Sequence, residues 1–281
     1  MEIKMGGNIY DPGYVKIKNR QNVNKERWND VYKKYALTDW ELIEPENLYQ
    51  YINKTSLNKR KIKKITEFGC GRGIRILSLV LLDNEINRED VSIKCIDISA
   101  KAISDAEAVY SQLKEKEIPD IFNELSSRGH LSKEFENLLK EGIPDIKCTI
   151  EFVNTDLFMG FAADEKTDLL IDWMCFHEIP VESRAEYIRI AENLCENYFI
   201  LTVFCSDDCT FPIEEFKPVD GHIQKHMFSC AEIEQYFSNS FIQIPSYRCF
   251  YPGNSEKIHS DGMIFPKKTY FMVKQGRKHL A

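Results

Sequence analysis

An α/β fold, with a parallel sheet covered by helices on both faces, is predicted by three features of this sequence. Residues 65–79 read Ile-Thr-Glu-Phe-Gly-Cys-Gly-Arg-Gly-Ile-Arg-Ile-Leu-Ser-Leu: an apolar run, a glycine-dense turn and a helical pattern in immediate succession. Residues 91–97 form a second apolar run that ends in an acid, Asp97. Short apolar runs then alternate with helical periodicity as far as residue 204, the pattern that builds strand–helix–strand units.

The first of these features organises the rest. Ile65 and Phe68 suit a buried parallel strand. Gly69, Gly71 and Gly73 remove three Cβ atoms, so the backbone can turn sharply and lie close to a ligand. Ile74, Leu77 and Val80 recur at helical spacing. A dinucleotide fingerprint, G-x-G-x-x-G, would need its third glycine at position 74, which is Ile74. The chain has E-x-G-x-G-x-G instead, with Glu67 at the end of the strand. A pyrophosphate would avoid that carboxylate; a cationic ligand would be drawn to it.

This stretch resembles motif I of the class I S-adenosylmethionine-dependent methyltransferases, whose cofactor carries a sulfonium and an amino group. The resemblance implies a Rossmann-like, seven-stranded sheet, its first five strands parallel and an antiparallel hairpin closing the C-terminal edge. It implies S-adenosyl-L-methionine as cofactor, with Glu67, Gly69, Gly71 and Gly73 at the methionine end. Asp97 stands at the carboxyl end of the second strand, where open α/β sheets bind ligands and where a carboxylate can accept both ribose hydroxyls. Ile98 adjoins it. After the third strand (148–153), Asp156 and Leu157 occupy the place where family members meet the adenine edge and pack its ring. A helix cap is the structural alternative for Asp156.

The N-terminal part reads as a lid. Residues 1–24 are polar and expected to be loose. Residues 25–35 form an amphipathic helix with Trp28, Val31, Tyr32 and Tyr35 on one side, and 45–52 a second helix starting at Pro45. Trp28-x-x-x-Tyr32 followed by Trp40-Glu41 resembles the thiopurine- and thiol-methyltransferase branch, which implies that this segment covers the cofactor and part of the acceptor pocket. A packing helix with aromatic anchors is the alternative. The expected organisation is therefore a helical lid segment over 1–58 and a methyltransferase domain over 59–281, with a helical insertion at about 112–147. In that insertion a helix is expected over 132–141. Ile118-Pro119-Asp120-Ile121 recurs as Ile143-Pro144-Asp145-Ile146, too little to make a repeat.

The fourth strand is expected over 168–171. It is followed by Asp172-Trp173-Met174-Cys175-Phe176-His177, Pro180, Arg184 and Tyr187, which again resembles the thiol branch. Asp172 is placed with the cofactor residues. Many members carry arginine where this chain has Trp173, so Trp173 is a candidate to stack on an acceptor. A helix over 183–194 and a fifth strand over 198–204 follow. The loop 205–227 holds Phe211, His222 and His226. The two histidines have a metal-like spacing but no third ligand nearby, so no metal is expected. Ser229 and Glu232 form a capping box, and 241–251 with 269–274 make the closing pair.

Net charge is −7, which gives no electrostatic case for nucleic acid. The basic run at 59–64 reads as a solvated lead-in to the first strand. The nine cysteines show no C-x-x-C pair, and no window nears the ~20 apolar residues of a membrane helix. The expectation is a cytoplasmic protein with free thiols and no membrane partner.

The chemistry implied is methyl transfer to a small-molecule acceptor, largely a positioning task that holds the nucleophile within ~3–3.5 Å of the methyl group. A thiol needs little base assistance, because its pKa of ~8.5 leaves some thiolate at neutral pH. A hydroxyl needs more, and the second enzyme reading is O- or N-methylation of a biosynthetic metabolite. His177 and then His226 are the candidate bases, with structural roles as the alternative for each. Tyr32, Trp40, Trp173 and Phe211 would suit an aromatic or apolar acceptor. A cofactor-binding scaffold without catalysis is the reading from another class.

Overall fold

The computed structural model describes residues 17–37, 41, 45–158, 166–205, 227–244 and 267–275; Trp40, Phe211, His222 and His226 lie outside them. Helix α1 (Ile17–Lys34) and helix α2 (Asn47–Lys54) precede the sheet. Then come β1 (Lys64–Phe68), α3 (Ile74–Leu82), β2 (Ser92–Asp97), α4 (Ala100–Lys114), α5 (Asp120–Ser127), α6 (Lys133–Glu141), β3 (Thr149–Asn154) and β4 (Thr167–Trp173). A 3-10 turn at Phe176–Glu178, α7 (Val181–Leu194), β5 (Cys195–Phe204), α8 (Cys230–Phe237), β6 (Phe241–Ile244) and β7 (Lys267–Lys274) complete the order.

The strands form one seven-stranded sheet in the order β3-β2-β1-β4-β5-β7-β6. β1 to β5 run parallel, and β7 lies antiparallel between β5 and β6. The expected fold class, with its antiparallel C-terminal pair, is the observed one. Strand order reverses at β1, which has β2 on one side and β4 on the other, so their carboxyl ends frame the crevice in which open sheets bind ligands.

The period of two along the strands divides the core into two layers. Ile65, Ile93, Cys95, Leu169, Ile171, Trp173, Ile200 and Phe271 pack with α2 to α6 on one face. Phe68, Ile96, Leu170, Phe199, Leu201, Val203 and Met272 pack with α7 and α8 on the other.

Three expectations change. α1 starts at Ile17, not Lys25. Upstream residues such as Lys18, Asn19, Arg20 and Gln21 lack an amphipathic stripe, yet helix propagation from an existing turn costs little for polar residues of fair propensity. The stretch expected to be an insertion holds two helices, α5 as well as α6, and Phe122 and Phe135 meet edge-on inside it at 5.3 Å. The repeated tetrapeptides have different fates: Asp120 opens α5, whereas residues 143–146 are irregular and Asp145 pairs with Lys116. Third, β4 continues through Asp172 and Trp173, which pair with Leu201 and Thr202 of β5. Strand parity then turns Trp173 into the core, 2% exposed and edge-on to Tyr51 at 6.2 Å. The stacking on an acceptor expected of Trp173 gives way to packing.

The basic run leading into β1 is held by the fold's own acids. Lys59 meets Asp83 at 2.6 Å, and Arg60 meets Glu85 at 2.9 Å.

Candidate functional site

The turn after β1 depends on its glycines. Gly69, Gly71 and Gly73 have φ of +66°, +58° and +68°, the left-handed region that L side chains rarely adopt. A Cβ on Gly69 would lie 2.8 Å from Cys175 Cβ, and one on Gly71 would lie 2.6 Å from the Tyr32 hydroxyl. The turn is therefore pressed between the β4 end and α1.

Asp97 is joined to this turn directly. Its Oδ2 accepts from the Gly71 backbone N–H at 2.8 Å, and its Oδ1 accepts from Ser99 N–H at 2.8 Å. Each carboxylate oxygen has a second lone pair beyond those bonds. Burial raises the Asp97 pKa to about 6 against the pull of these two N–H groups, and the Glu41 charge adds to the rise. Ile98 is half-buried next to it, and its carbonyl accepts from the Asn154 amide at 2.9 Å.

Glu67 lies 1% exposed at the end of β1. Its buried Oε2 has no hydrogen-bond partner among the described residues. Burial pushes its pKa to about 8; the charge of Arg75 opposes this, while Asp97 and Asp172 add to it. Three acids thus crowd the ends of β1, β2 and β4. A buried acceptor left unsatisfied costs about 1–3 kcal/mol, and clustered carboxyls favour the approach of a cation.

Asp172 has the opposite environment. Its Oδ1 accepts from the N–H groups of Cys175 (2.7 Å) and Phe176 (3.2 Å), and its Oδ2 accepts from the Tyr187 hydroxyl. Burial raises its pKa to about 7 despite these donors. Nearby, Arg184 is buried and donates from Nε to the Ile179 carbonyl at 3.2 Å, with its guanidinium 4.7 Å over the Phe228 ring. His177 is 2% exposed; its Nε2 lies 3.3 Å from Glu178 Oε1, and its ring meets Phe204 edge-on at 4.7 Å.

On the β3 side, Asp156 is half-buried and accepts from Phe158 N–H at 2.9 Å, closing a tight local turn. Leu157 packs into the layer that contains Phe68 and Ile96. Among the described residues no group of three His, Cys, Asp or Glu side chains is placed to hold a metal ion.

Helix α1 spans the crevice. Arg27 reaches Glu178 after β4 at 3.3 Å. Asn29 Oδ1 accepts from Ser99 Oγ at 2.9 Å and from Lys101 N–H at 3.1 Å, beyond β2. Tyr32 is buried over the turn after β1. Sequence reading missed the residue beneath it, Arg72. The available signal was one long cation between two glycines, in a turn otherwise stripped of bulk.

The orphaned Glu67 oxygen and the spare lone pairs of Asp97, beside a turn stripped of Cβ atoms, fit a ligand with a cationic centre and a vicinal diol. No protein-family profile matches the sequence, and no curated protein matches it. Among solved structures, the chain is similar to the 1,6-didemethyltoxoflavin-N1-methyltransferase of Burkholderia thailandensis, crystallised with 1,6-didemethyltoxoflavin and S-adenosylhomocysteine. The TM-score is 0.53 at 13% identity, over 95% of this chain and 94% of that one. It is also similar to the N-methyltransferase NodS of Bradyrhizobium japonicum in complex with S-adenosylhomocysteine, with a TM-score of 0.52 at 12% identity, over 89% of this chain and 99% of that one. This chain has the seven-stranded α/β fold of those methyltransferases.

Proposed function

We propose that this chain is an S-adenosylmethionine-dependent methyltransferase acting on a small molecule. The observation that carries the reading is the unsatisfied, buried Glu67 oxygen beside three left-handed glycines and Asp97. S-Adenosylmethionine supplies a methyl group on a sulfonium, which departs as a neutral thioether. Asp97 would accept the ribose hydroxyls with the lone pairs its backbone donors leave open. Glu67 and the backbone of Gly69–Gly73 would hold the aminoacyl end. Asp156 and Leu157 would flank the adenine. Asp172 acts through the chain itself: it fixes the Cys175–Phe176 turn and so the wall that Gly69 leans on.

For the acceptor we favour a thiol, the reading closest to the branch that the β4 segment resembles. His177 is packed against Phe204 and faces Glu178, an arrangement of a structural side chain more than of a poised base. A thiol tolerates that, because it ionises near neutral pH unaided. The alternative is O- or N-methylation of a metabolite, in which a hydroxyl acceptor would call on His177 as a base. A test is incubation with methyl-labelled S-adenosylmethionine and a panel of thiols, phenols and amines. Label transfer to thiols first supports the reading. Transfer confined to phenols or amines, and lost in His177→Gln, supports the alternative. No transfer, with S-adenosylhomocysteine still bound, would make the chain a cofactor-binding scaffold.

A further inference from the structure

Arg72 stands between Gly71 and Gly73, in the turn that the cofactor reading uses, and its side-chain hydrogen bonds go to Glu41, Asp105 and the end of α1. It is 5% exposed. Its Nη1 donates to Glu41 Oε2 at 2.7 Å, and its Nε to Asp105 Oδ2 on α4 at 3.0 Å. Its Nη2 donates to the carbonyls of Tyr32 (2.9 Å) and Tyr35 (2.7 Å). Those two carbonyls are at and just beyond the C-terminal end of α1, where orphan acceptors and the helix dipole favour a cation. The guanidinium also lies 4.9 Å from the Tyr32 ring. Asp105 is shared with Lys101 at 2.5 Å.

One side chain therefore ties four places together: the glycine turn, the end of α1, the Glu41 segment and α4. Only the guanidinium fork does this, because lysine offers a single point charge and cannot reach two carboxylates and two carbonyls at once. The ties to Glu41 and the Tyr32 carbonyl are buried, so salt screens them weakly.

We propose that Arg72 is a positioning residue that latches α1 down over the glycine turn, so that Tyr32 closes the cofactor crevice and slows the cofactor's escape. The proposal rests on the methyltransferase reading for its ligand, but the latch itself exists in the ligand-free chain. It assigns the N-terminal helix a definite mechanical state: closed when Arg72 holds both tyrosine carbonyls, open when it does not.

The test uses the full chain and two variants, Arg72→Lys and Glu41→Gln. The second keeps side-chain volume and removes one anchor. Hydrogen exchange of the α1 amides is measured without ligand, with the β1, β4 and β5 amides as the control for folding. Dissociation of S-adenosylhomocysteine is timed by stopped flow. The latch predicts exchange in α1 at least about tenfold faster in Arg72→Lys, and a smaller rise in Glu41→Gln, with strand protection kept. It predicts faster dissociation in the same order. If Arg72→Lys loses strand protection as well, Glu41→Gln decides. Unchanged α1 exchange in a folded variant overturns the proposal, whatever the ligand does. Faster exchange in α1, with no S-adenosylhomocysteine binding by the wild type, keeps the latch and removes the cofactor reading.

Discussion

Asp97 and Asp172 occupy equivalent places, each at the carboxyl end of a parallel strand beside the glycine turn, and the chain treats them differently. Asp97 takes one backbone N–H on each oxygen and stops there. Asp172 takes two backbone N–H groups and a tyrosine hydroxyl. Glu67 extends the contrast, with one buried oxygen that meets no donor among the described residues. The β1–β2 side of the crevice keeps acceptor capacity in reserve; the β4 side spends it on Tyr187 and the turn at Cys175–Phe176. On the proposed reading, the acids that a ligand would meet are left shorter of donors than the acid that holds the fold.

The comparison breaks most visibly at Asp172. Asp172→Ala leaves the Tyr187 hydroxyl and two N–H groups buried without an acceptor, at about 1–3 kcal/mol each. Urea unfolding should show a loss of about 3 kcal/mol or more. Tyr187→Phe, which removes one donor, should cost about 1 kcal/mol.

Gly71→Ala sharpens the other side. A left-handed alanine costs about 1–2 kcal/mol, and its Cβ would collide with the Tyr32 hydroxyl. Adding Tyr32→Phe removes that oxygen, so the double variant should recover part of the stability and part of the ligand affinity. Equal losses in single and double variants would mean that Tyr32 does not cover the turn.

pH tests both sides together. Glu67, Asp97 and Asp172 have folded pKa values of about 8, 6 and 7, all above the unfolded carboxyl range. Between those limits the folded chain binds more protons than the unfolded one, so the contribution of these groups to stability is greatest below about pH 4 and declines as pH rises to 8. A cationic ligand favours the ionised forms, so its affinity should rise over pH 6–8 while the ligand-free chain loses stability. The smallest effect expected is at His177: with a thiol acceptor, His177→Gln should change turnover less than about threefold, against the ~100-fold or more typical of a lost general base.

Much of this was legible in the residues. Glycine spacing, strand-end acids and alternating periodicities are local signals, and they carried the sheet and the placing of Glu67, the three glycines and Asp97 at the ends of β1 and β2. The capping box at Ser229 and Glu232 likewise stands where the sequence placed it. What escaped was decided by partners distant in sequence. Trp173 faces the core because β4 runs two residues further along β5. Asp172 gains its third donor because Tyr187 arrives from the next helix. Arg72 reads as filler inside a motif until Glu41, Asp105 and the end of α1 converge on it. Trp40, Phe211 and His226 lie outside the described residues.

The proposal that the donor-poor acids serve a ligand and the better-bonded Asp172 serves the fold is tested most directly by calorimetric titration of S-adenosylhomocysteine into wild type, Asp97→Ala and Tyr187→Phe. The account expects micromolar binding by the wild type and a roughly tenfold to hundredfold loss in Asp97→Ala, the worth of about 1.5–3 kcal/mol for a bond to a charged group. It expects Tyr187→Phe to melt earlier yet bind within about twofold of wild type. No binding by the wild type, or equal binding by Asp97→Ala, would contradict it.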